Sequence, residues 1–90
     1  MKLFSGTALF ELKATHGIPF EVTLQNVIQK GYSVNWVEFI ECARNNKWWD
    51  FQIIDSITPV LEDVVQDKDT VQHIIQRMKY YMLNNIHPEM

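Results

Sequence analysis

Apolar residues along the chain recur mainly at spacings of three and four, which bring side chains to one face of a helix. Ala8, Leu9 and Leu12 set the first such row, with Ser5 placed to cap its start, and Gly17 and Pro19 end it after Ala14. Thr23 is suited to cap a second, two-turn helix through Val27 and Ile28, closed by Gly31 in a left-handed conformation. Ser33 or Asn35 opens a third helix with Trp36, Phe39, Ile40 and Ala43 on its apolar stripe, and with Glu38, Glu41 and Arg44 on the other side.

Asn45-Asn46 breaks the pattern. Trp48, Trp49, Phe51, Ile53, Ile54 and Ile57 then form a segment too apolar for a solvated loop. It reads as a short buried helix. A strand is the alternative, but no hairpin turn or second alternating segment is there to pair with it. Thr58-Pro59 has the form of a cap followed by proline at the first helical position, so a further helix is expected through Leu61, Val64 and Val65. Asp67 or Asp69 opens the last and longest helix. Val71, Ile74, Ile75, Met78 and Met82 face inward there, Gln72, Gln76, Arg77 and Lys79 face outward, and Pro88 stops it.

The pattern predicts an all-α fold: a compact single domain over residues 1–90, built from five or six short helices with a longer one at the C-terminus. Ninety residues suffice for one core only, and 47% apolar against 21% charged residues with three glycines and three prolines is the balance of an ordered chain. The start, Met1-Lys2-Leu3-Phe4-Ser5, lacks the apolar segment of a secretory signal, and no stretch approaches the length that spans a bilayer. A single cysteine, Cys42, excludes an internal disulfide and fits a reduced, cytoplasmic setting.

Residue chemistry argues against catalysis and against cofactors. One cysteine and three dispersed histidines, His16, His73 and His87, give no zinc-ligand spacing. Cys42 on an amphipathic helix reads as packing, and the carboxylates Glu38, Glu41, Asp50, Asp55, Glu62 and Asp63 accompany no cofactor motif or glycine-rich loop. Ser5-Gly6-Thr7 lacks the second glycine and the lysine of a phosphate loop. The net charge of −3 is opposite to what phosphate binding needs. A helix-turn-helix could be drawn from Thr23–Lys30, Gly31-Tyr32-Ser33 and Asn35–Asn45. Its second helix, however, would present Glu38 and Glu41 to DNA, with Arg44 and Lys47 only at the far end.

What remains unabsorbed is aromatic surplus. Trp48 and Trp49 are adjacent, so helical geometry points them about 100° apart and one burial cannot hold both. One ring either covers a helix end or anchors a partner. Tyr80-Tyr81 repeats the situation on the last helix. The leading expectation is a non-enzymatic interaction or regulatory module that binds another protein, or itself as a homo-oligomer, through Trp48, Trp49, Tyr80 and Tyr81.

The stretch Leu12-Lys13-Ala14-Thr15-His16-Gly17-Ile18-Pro19-Phe20-Glu21-Val22-Thr23 resembles the LYDTYGFPxxLT segment that closes the helical tRNA-recognition region of alanyl-tRNA synthetases. Leu12, Thr15, Gly17, Pro19 and Thr23 match, Glu21 stands at an often acidic position, and Gly31, Val34 and Phe39 extend the likeness within Thr7 to Ala43. Lys13, Ala14 and His16 replace the family's tyrosine, aspartate and aromatic. The resemblance implies a local helical fold and, as the second function, RNA or tRNA binding with Lys2, Lys13, Lys30 and Arg44 as phosphate partners. It implies neither aminoacylation nor editing. In size, mild acidity and asparagine and aromatic content, the chain also resembles small bacteriophage accessory proteins that modulate a host or phage partner.

Overall fold

A computed structural model describes residues 2–86. Pro88 and His87 lie outside them. Among the described residues, five helices carry nearly all of the regular structure: α1 (Gly6–His16), α2 (Phe20–Gln29), α3 (Trp36–Asn45), α4 (Asp50–Val64) and α5 (Lys68–Asn84). The fold is all-α, as expected, with one small addition. Leu3–Phe4 (β1) pairs in parallel with Ser33–Val34 (β2), a two-residue bridge extended by Ser33 N–H donating to Lys2 O and Asn35 N–H to Phe4 O.

Local chemistry explains most boundaries. The Ser5 hydroxyl accepts from Ala8 N, Asn35 Oδ1 from Glu38 N, and Asp67 Oδ1 from Asp69 N, each occupying an amide that the first helical turn leaves unpartnered. Gly17 closes α1 at a φ of 69°, and Gly31 turns the chain after α2 at a φ of 79°, both in the left-handed region. The Thr70 hydroxyl also donates to Asp67 Oδ2, and together with the backbone contact this holds the Asp67 carboxyl below the usual range.

Two expected starts are corrected. The second helix begins at Phe20 behind Pro19, and Thr23 is buried inside it, because Phe20, Thr23, Leu24 and Val27 form one inward row that only an earlier start can seat. Thr58-Pro59 opens no helix: α4 runs through it, since Ile53, Ile57 and Leu61 continue a single buried row across the proline. The Thr58 hydroxyl donates to Ile54 O within this stretch.

Buried side chains from all five helices form one cluster, with Leu9, Phe39, Ile40, Ala43, Ile53 and Ile57 fully enclosed. α3 lies mainly on α1, α2 on α4 and α1, and α4 and α5 pack as an antiparallel pair across a three-residue connection. Gly6 permits the α1–α3 approach: a Cβ there would stand 2.2 Å from Asn35 O and 2.3 Å from Phe39 N. Glu38 seals the junction, its Oε1 accepting from Ser5 Oγ and Gly6 N. Phe10, Phe20, Phe39 and Trp48 pack as tilted and edge-to-face rings with centroids 5.2–6.5 Å apart.

Candidate functional site

Arg44 ties three helices together. Its position one residue beyond Ala43 suggested an outward side chain, but the guanidinium is buried where the N-terminus of α4 and the C-terminus of α5 cross α3. Nε and one terminal nitrogen donate to the two oxygens of Asp50, both at 2.9 Å, a bidentate fork. The remaining N–H groups reach the carbonyls of Met82 and Asn85, and Glu41 stands 3.5 Å away. Glu41 in turn accepts from the Tyr81 hydroxyl at 2.7 Å. The hydrogen bond to Asp50 raises the Arg44 pKa further, and the bond to Glu41 raises that of Tyr81.

That clamp fixes one end of a groove between α4 and α5. Asp50, Phe51, Ile54 and Asp55 form one wall, Lys79, Met82, Leu83 and Ile86 the other, around a volume of about 490 Å³. Ile54 and Met82 make the floor. The rim is unusually apolar for a water-facing surface: Phe51 is 65%, Leu83 76% and Ile86 75% exposed. Trp49, the residue preceding α4, is 51% exposed, and its N–H donates to Gln52 Oε1 at 2.8 Å. Tyr80, 71% exposed, lies one helical turn before Leu83.

The four aromatic residues expected to bind a partner therefore separate into two pairs. Trp49 and Tyr80 face solvent, each next in sequence to a groove-lining residue, Asp50 and Lys79. Trp48 is half-buried against Phe10 and Phe20, and Tyr81 is half-buried with its hydroxyl committed to Glu41. Trp48 also lines a smaller recess of about 280 Å³ with Phe10, Lys13, Ala14, Phe20 and Asn46. The expected burial of Phe51 with its apolar neighbours is corrected, since its side chain lies on the water-facing side of α4, and sequence reasoning did not consider Leu83 and Ile86. The available signal was their position off the inward rows, since Leu83 follows Met82 and Phe51 lies outside the Ile53, Ile57, Leu61 series.

The cations considered for RNA contact sit on separate elements: before β1, on α1, at the end of α2 and on α3. Lys2 lies 5.7 Å over the Tyr32 ring, Lys13 lies 5.4 Å over Phe20, and Lys30 is exposed at the end of α2. Arg44 is withdrawn as a phosphate partner, because its donors are occupied inside the protein. α2 and α3 have their main packing on other helices, which differs from the mutually packed pair of a helix-turn-helix. Among the described residues no three His, Cys, Asp or Glu side chains group to hold a metal, and no helix is long and apolar enough to cross a membrane.

Two remaining titratable groups have identifiable surroundings. Burial and, secondarily, Glu11 raise the Cys42 thiol pKa, which lowers its thiolate fraction and its reactivity. The Glu21 pKa is raised by a side-chain hydrogen bond with the neighbouring Asp63 carboxyl and by its charge, both groups being exposed. Comparison with protein-family models, curated proteins and solved structures finds no match to this chain.

Proposed function

We propose that the chain is a non-catalytic, cytoplasmic interaction module of regulatory or accessory type, and that it engages a protein partner through the α4–α5 groove. One observation carries this reading: Phe51, Leu83 and Ile86 hold most of their surface in water around an apolar floor of Ile54 and Met82. Single exposed apolar residues are ordinary, but a contiguous set rimmed by charge is characteristic of a binding surface. Large anchors surrounding a partly enclosed floor are the arrangement in which a few contacts carry most of the affinity. Two antiparallel helices with a furrow between them also suit an apolar ridge from a partner, as in helix-in-groove recognition. Its lining residues Asp50 and Lys79 are next in sequence to the exposed Trp49 and Tyr80, whereas Trp48 and Tyr81 are half-buried.

Affinity purification of tagged chain from its native cells, with and without nuclease, tests the proposal against Phe51→Glu and Leu83→Glu. A specific protein retained by the wild type after nuclease, and lost from both variants, is the expected outcome. Capture unaffected by either substitution would contradict it. Enriched tRNA without a stable protein would instead favour the synthetase-like RNA-binding reading, with Lys2, Lys13 and Lys30 as its phosphate partners.

A further inference from the structure

We infer that the occupant of the groove is a second copy of this chain, docked face to face about a two-fold axis that runs along the groove. The inference rests on the reading of the groove as a binding face and adds the identity of what fills it. Its basis is charge placed on opposite walls. Asp50 is committed to Arg44, which leaves Asp55 on the α4 wall and Lys79 on the α5 wall, both exposed and with no ion pair among the described residues. A dyad along the groove sets α4 of each copy over α5 of the other, so Asp55 meets Lys79 twice and no like charges face each other. An axis across the groove would instead oppose α4 to α4 and α5 to α5, and at the level of Asp55 and Lys79 it would set each charge against its own copy.

Shape and area agree with this pairing. An isologous contact needs a self-complementary surface, and here a projecting Phe51 and Leu83 flank the depression that a second Phe51 and Leu83 would enter. At the exposures given above, Trp49, Phe51 and Tyr80 offer roughly 300–450 Å² of ring surface, on the usual 150–250 Å² per aromatic residue. Leu83, Ile86 and the charged rim bring the face toward the roughly 800 Å² per partner of a standard interface. A chain of this size has a thin core, so burying these residues between copies also supplies what one copy cannot bury alone.

Sedimentation equilibrium of the full chain from micromolar to millimolar concentration reads the mass directly. Wild type should reach twice the 10.7 kDa of one chain. Asp55→Lys and Lys79→Asp, each confirmed folded by far-ultraviolet circular dichroism, should each weaken association more than about tenfold, because each sets like charges together at both contacts. An equimolar mixture of the two variants should associate as a heterodimer, and the double reversal should again form a homodimer. A wild type that stays monomeric at every concentration overturns the inference. So does a dimer that both single reversals leave intact. Should the wild type stay monomeric while Phe51→Glu and Leu83→Glu still abolish capture of another protein, the second-copy inference falls and the groove reading stands. If association and capture are both indifferent to all four substitutions, both fall.

Discussion

Removing the Arg44 side chain should be among the most damaging single changes this fold can suffer. Arg44→Ala deletes the fork on Asp50, the contact with Glu41 and the donors to the Met82 and Asn85 carbonyls, and it leaves a void among α3, α4 and α5. Breaking a buried ion pair from one side costs about 3–5 kcal/mol, mostly through the groups left without a partner. Asp50 and Glu41 keep 36% and 44% of their side-chain surface in water, so both rehydrate, and the lower end, about 3 kcal/mol, is expected. Ninety residues at about 0.05–0.15 kcal/mol each hold roughly 5–13 kcal/mol in total, so the variant forfeits a quarter or more of its stability. With about 4–8 °C per kcal/mol for a domain of this size, Tm should fall by roughly 12–24 °C.

Urea unfolding followed by circular dichroism and tryptophan fluorescence measures this, and an Arg44→Ala, Asp50→Ala double-mutant cycle isolates the pair. A coupling of about 1–3 kcal/mol is expected for groups in direct contact. A loss below about 1 kcal/mol for Arg44→Ala, in the range of an exposed salt bridge, would refute the buried clamp.

Other substitutions test separate joints. Gly6→Ala adds a methyl that meets the α3 backbone, so despite better helix propensity it should destabilise by about 1–3 kcal/mol, as overpacking does; an unchanged urea midpoint would contradict the close α1–α3 approach. Pro59→Ala restores an amide donor inside α4 and should raise Tm, whereas a fall would show that the proline is needed for the path of this helix. Tyr81 has a folded pKa above its ordinary value of 10, so the stability it contributes is full below pH 10 and is lost as pH rises through the folded value. Comparing urea midpoints near neutrality and in strong alkali, the wild type should lose more than Tyr81→Phe, and equal losses would disprove the Glu41 contact.

Caps and turns were legible in the sequence because they depend on near neighbours. Ser5, Asn35, Asp67, Gly17 and Gly31 act as their residue types require, and the rows on α3 and α5 face inward as their spacing indicates. What was not legible depends on distant packing. Nothing near Arg44 reveals that two helix ends, some 6 and 38 residues away in sequence, close over it. Gly6 looks like any glycine near a helix start until α3 lies against it, and the β1–β2 bridge is too short to leave an alternating pattern. Thr58-Pro59 misled because a local start signal competes with a buried row that continues through it. The groove was half legible: surplus aromatic residues pointed to a binding surface, but only the helix pairing decides that Phe51, Leu83 and Ile86 stay in water while Trp48 turns inward.

Photocrosslinking in native cells puts the central claim to its most direct test. A photoreactive phenylalanine analogue would be introduced in place of Phe51 or Leu83 and, as a control, in place of Gln25, which is exposed on α2. Discrete protein adducts at the two groove positions, and none at Gln25, are the result expected if the α4–α5 groove is the binding face. Equal labelling at all three positions, or adducts at Gln25 alone, would contradict it.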